Sequence, residues 1–164
     1  MAQEGNVELV KTAPATQFRD AIAQNAASYL DLLLPETIAA GRTCRSRLKG
    51  ISIISTENTG WEVWLFSRSR TGAEAISTGI WFLGYWTFTA ASARRIAAAG
   101  LWYYYIDGLD IPYEADDVLA DGQPDDDGQR RRLHIALIAR ESAKAAGDAG
   151  ALQVTFVLES TLGF

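Results

Sequence analysis

Cysteine is almost missing from this chain: Cys44 is the only one. A single thiol forms no internal disulfide, so the fold owes nothing to an oxidising compartment. The favoured reading of Cys44 is a half-buried strand residue. Histidine is equally scarce, and His134 stands alone between Leu133 and Ile135. A zinc centre takes three or four ligands, which one histidine and one distant cysteine do not supply. His134 is therefore read as structural or as part of a subunit contact, and neither metal nor cofactor is expected. Long apolar runs are absent too. No stretch approaches the length of about 18 apolar residues that a membrane span takes, so no membrane association is expected. The polar start, Met1 to Asn6, lacks a basic segment followed by an apolar one and is not read as a secretory signal. Basic residues are outnumbered, 15 Lys and Arg against 20 Asp and Glu, for a net charge of −5. The basic clusters (Arg42 to Lys49, Arg94-Arg95, Arg130 to Arg132) are short, and nucleic acid is not expected as a partner. Nucleotide-binding glycine motifs, Gly-x-Ser-x-Gly and His-Glu-x-x-His are all missing. No enzyme class is suggested by residue chemistry, and no catalytic residue is assigned.

What is present is an ordinary globular composition, 48% hydrophobic and 21% charged over 164 residues. That length suits one domain spanning 1–164. Period-two alternation dominates. Strands are predicted over 7–12, 28–34, 43–55, 61–68, 80–88, 101–106, 132–140 and 152–159, with a short extended piece after Ile111. Residues 1–6 read as a loose N-terminus. The apolar side of the 43–55 strand changes near Gly50, a usual place for a bulge. Glu57-Asn58-Thr59-Gly60 reads as a hairpin turn into Trp61. Alanine-rich 91–99 predicts two turns of helix between Ser92 and Gly100. About eight strands with one or two short helices, and no βαβ spacing, predict an all-β antiparallel sandwich of jelly-roll type.

The densest feature is the span from Ile80 to Ile106, which holds nine of the seventeen aromatic residues. Consecutive residues on a strand face opposite ways. Trp81-Phe82, Tyr85-Trp86 and Tyr103-Tyr104-Tyr105 therefore cannot all point into one core, and some large rings must face outwards. Trp and Tyr are the commonest anchors of protein interfaces. Trp81, Tyr85, Trp86, Trp102 and Tyr104 are taken as exposed contact residues. Arg45, Arg47 and Arg131 are taken as charged residues that pair with an acidic partner surface. A sugar-stacking platform is the competing use of the rings, with Asp107 and Asp110 as sugar contacts. Those two acids with Glu114 also raise glycoside hydrolysis, weakly, since any sandwich loop carries acids. The six aspartates of 115–128 do not follow the spacing of a Ca²⁺ loop and read as an exposed acidic loop.

The run from Leu101 through Tyr105 to Asp107-Gly108-Leu109-Asp110-Ile111-Pro112-Tyr113 resembles small virion proteins of tailed bacteriophages. So does the close, Leu133 to Ile138, then Ala145 to Gly150, then Val154-Thr155-Phe156. This resemblance covers the C-terminal half. It implies a β-sandwich that decorates or cements the head shell, commonly as a homotrimer, with the major capsid protein and other copies of itself as partners. Its location would be the virion, assembled in the host cytoplasm. The alternative function is a carbohydrate-binding β-sandwich module.

Overall fold

The computed structural model describes residues 6–11, 20–33, 45–67, 82–113, 132–147 and 151–161. Trp81, Cys44, Arg131, most of the N-terminus and the acidic loop at 115–128 lie outside the described residues. Among the described residues ten strands are formed: β1 (Asn6–Lys11), β2 (Ala27–Leu33), β3 (Arg45–Ser55), β4 (Trp61–Phe66), β5 (Phe82–Phe88), β6 (Arg94–Ile96), β7 (Leu101–Ile106), β8 (Ile111–Tyr113), β9 (Arg132–Ala139) and β10 (Leu152–Thr161). They make two antiparallel sheets. The first runs β1-β10-β3-β7-β6, with β8 also pairing β3; the second runs β2-β9-β4-β5. The fold is the expected all-β sandwich.

The pairing is nested. β4 pairs β5, β3 pairs β7 and then β8, β2 pairs β9, and β1 pairs β10. Successive pairs alternate between the two sheets. The chain is thus one long antiparallel ribbon folded over on itself. Its two sheets face each other across a core that includes Leu48, Ile53, Tyr104 and Phe156 from the first and Trp61, Val63, Leu65, Leu133 and Leu137 from the second. On β10, Leu152, Val154, Phe156 and Leu158 are all fully buried, as simple alternation predicts.

Two local features depart from plain alternation. On β3, Val157 pairs Gly50 while the next residue, Leu158, pairs Leu48. One residue, Lys49, is therefore extra. The bulge inverts the side-chain parity of the strand, so Leu48 and Ile51 both reach the core. This is the change of apolar side visible in the sequence at Gly50. A Cβ on Gly50 would lie 3.0 Å from the Ile106 carbonyl oxygen, so the close approach of β3 to β7 favours glycine. The second departure corrects an expectation. Residues 91–99 form no α-helix. They form β6 between two 3₁₀ turns, Ala90–Ser92 and Ala97–Ala99. Alanine's helix preference is worth little in so short a piece, and pairing of Arg94, Arg95 and Ile96 with β7 outweighs it. Gly100 still ends this segment, at φ 64.

Candidate functional site

Both sheets carry aromatic side chains on their outer faces. On the second sheet, register places Tyr29 of β2, Ala136 of β9, Trp64 of β4 and Tyr85 of β5 in one row across the strands. Phe66 and Phe82 are paired in the adjacent row. A second irregularity, between Leu65 and Phe66, brings Phe82 onto the same face as Tyr85. The result is a continuous ring cluster. Trp64 lies 5.5 Å from Phe82, 6.2 Å from Tyr85 and 6.4 Å from Phe66, and Tyr29 lies 6.2 Å from Phe66. Phe66 is fully buried, while Tyr85 stays 57% exposed. Glu62 supports the cluster from the row on the other side of Trp64. It accepts a hydrogen bond from the Trp64 indole N–H at 2.9 Å and from Arg140 Nε at 3.0 Å. A mostly buried carboxylate with a guanidinium partner fixes the orientation of the tryptophan it holds.

The first sheet carries a different surface. Its outer face presents Tyr103 and Tyr105 of β7, near-parallel at 16° with centroids 5.7 Å apart. The Arg94 guanidinium lies 5.4 Å from the centre of the Tyr105 ring, and Arg95 lies 5.7 Å from that of Trp102. Below the tyrosines a groove of about 390 Å³ opens over the bulge, lined by Lys49, Gly50, Ser52, Tyr103, Tyr105 and Asp107 among others. Beside it the connection from β7 to β8 is tied to β3. The Leu109 N–H donates to the Lys49 carbonyl at 3.0 Å. Asp110 accepts from Arg47 Nε at 2.6 Å and from Lys49 Nζ at 2.7 Å, and Lys49 also reaches Glu159 at 3.0 Å. Hydrogen bonds from Arg47 and then Lys49 hold the Asp110 carboxyl well below the usual carboxylate range. A general acid for glycoside hydrolysis needs the opposite shift. Among the described residues no group of three or more His, Cys, Asp or Glu is placed to hold a metal ion.

The residues singled out from the sequence are scattered over these surfaces. Tyr85 faces outwards in the ring cluster. Trp86 and Trp102 face inwards and pack, half-buried, against the core. Tyr104 corrects the expectation outright: it is 1% exposed. It sits opposite Ile53, an inward residue of β3, so parity turns Tyr103 and Tyr105 outwards instead. Its hydroxyl donates towards the Thr59 carbonyl and Asn58 Oδ1, each at 3.0 Å. Arg47 is not free for a partner, because Asp110 already engages it. Arg45 belongs to β3, opposite Thr161. Asp107 is exposed at the groove, whereas Asp110 is consumed by the clamp.

Sequence reasoning missed Tyr29, Trp64, Phe66 and Phe82 as one surface. A signal was present, since β4 carries large apolar residues on both faces. What covers the second face depends on which strands flank β4, and pairing across some 70 residues decides that. No family model and no curated protein matches this chain.

Proposed function

We propose that this protein is a structural subunit of an assembled protein shell: a decoration or cement protein of a tailed-bacteriophage head, joining other copies of itself and the major capsid protein. The observation that carries this reading is the ring cluster on the outer face of the second sheet, where Tyr85 remains 57% exposed. A two-layer sandwich needs only its inner faces to be apolar. A second aromatic face is surplus to that requirement and has the composition of an interface core. The nested strand pairing supports a jelly-roll reading, an architecture used by viral shell proteins and by lectins. Fold alone does not fix function; the ring cluster is what favours assembly.

The role is mechanical. A specific interface buries about 800 Å² on each partner, at roughly 25 cal/mol per Å² of apolar area. Trp64, Phe82 and Tyr85 would form the centre of such a patch. Sedimentation of the purified protein over a range of concentrations tests this. Wild type is expected to run as a trimer or larger, and Tyr85→Lys as a monomer with an unchanged melting temperature. Mixing with phage heads stripped of decoration should pull wild type, and not the variant, into the pellet. A monomer at every concentration that also fails to bind heads would sink the proposal.

A further inference from the structure

The groove on the first sheet lies on the side of the sandwich away from the ring cluster, and its chemistry differs. Its lining brings together Tyr103, Tyr105, Asp107, Gly50 and Val157. Among the described residues, neither tyrosine hydroxyl and not the Asp107 carboxylate has a hydrogen-bond or ion-pair partner. Asp110, its neighbour in the same connection, has both Arg47 and Lys49. The structure therefore separates two acids that look alike in the sequence. Asp110 is spent on holding the loop. Asp107 is held at the groove by that loop and has hydrogen-bonding capacity to spare.

The charges around the groove narrow the ligand. Asp107 repels anions. Arg94 over Tyr105 repels cations, while the charge of Lys49 is already matched by Asp110 and Glu159. A neutral molecule with many hydroxyls and an apolar flank meets neither penalty. Its hydroxyls can donate to Asp107 and exchange hydrogen bonds with the two phenols, while its C–H flank packs on the rings. The volume, about 390 Å³, falls in the range of small-ligand sites, roughly 300–1,000 Å³. We propose that this groove binds a neutral saccharide, with a pyranose ring against Tyr103 and Tyr105 and hydroxyls on Asp107. The site goes beyond the assembly reading and uses none of its residues.

Isotope-labelled full-length protein titrated with maltotetraose, cellotetraose and triacetylchitotriose, followed by amide chemical shifts, tests it. At least one sugar should give saturable shifts confined to Gly50, Ser52 and the 103–108 segment. Tyr105→Ala and Asp107→Ala should each weaken binding about tenfold or more, equivalent to at least about 1.4 kcal/mol. Tyr85→Lys on the other sheet should leave it unchanged. Both groove residues are exposed, so these variants should keep the wild-type melting temperature. No saturable shifts with any of the three sugars, shifts mapping elsewhere, or undiminished binding in both groove variants would overturn the assignment. The wild-type shift map alone decides the matter if a variant misfolds.

Discussion

Replacing Tyr104 with Phe removes one oxygen atom and leaves the ring in place. The ring is buried between the sheets, 6.4 Å from Phe88, and its hydroxyl reaches the hairpin between β3 and β4 through Thr59 O and Asn58 Oδ1. A hydroxyl has one proton, so it donates to one acceptor at a time. Thr59 is itself fully buried, and water does not readily replace the lost donor. An unsatisfied buried acceptor costs about 1–3 kcal/mol, and phenylalanine leaves almost no cavity. The expected loss is about 1–2 kcal/mol, which lowers the melting temperature of a domain of this size by about 2–8 °C. Tyr104→Ala, which also empties the ring site, should cost about 3–5 kcal/mol.

Alkaline titration gives an independent reading of the same residue. Burial raises the Tyr104 pKa above its ordinary value of about 10. Above that pH the unfolded chain loses the phenol proton while the folded chain keeps it. Fewer protons are then bound in the unfolded state, so stability falls as pH rises. Tyr104→Phe should lose less stability than wild type over that window. A Phe variant melting with wild type, or one losing as much stability as wild type over that alkaline window, would refute this placement of Tyr104 and restore it as a surface residue.

Three further outcomes follow from the same geometry. Gly50→Ala sets a Cβ 3.0 Å from the Ile106 carbonyl oxygen and should destabilise by about 1–3 kcal/mol, visible as a lower urea midpoint with an unchanged slope. Asp110→Asn removes the clamp on the 107–110 connection. The Asp110 pKa is depressed in the fold, so its contribution is present above the ordinary carboxyl pKa near 3.9 and fades as pH falls below it. Wild type should therefore lose more stability than the variant on acidification, and the variant should exchange the Leu109 amide faster. Lys144→Met leaves the carbonyls of Asp20 and Ala145 without the ammonium that now donates to them at 2.6 and 2.9 Å, and should cost about 1–3 kcal/mol. Burial lowers the Lys144 pKa. The unfolded chain thus holds that proton more tightly, and wild type should gain on the variant as pH rises towards the ordinary lysine value near 10.4. Thermal melts over that range check it.

Period-two alternation in the sequence by itself determined that this chain is an antiparallel sandwich, because a side-chain period of two has one simple structural meaning. The Leu152-Val154-Phe156-Leu158 face and the break at Gly50 were both legible, since each depends on neighbours along the chain. The aromatic density of 80–106 likewise required that some rings face outwards. Which ones do so was settled only by tertiary pairing. In Tyr103-Tyr104-Tyr105 either parity satisfies alternation, and the partner Ile53 selects Tyr104 for the core. The alanine-rich 91–99 segment becomes strand β6 because β7 is there to receive its hydrogen bonds. Asp107 and Asp110, equivalent to the eye, differ because the Lys49 bulge brings two cations to one of them and leaves the other at a groove. Local pattern dictates element type; the register between strands far apart in the chain decides which side chains are core, which are spent on one another, and which remain for a partner.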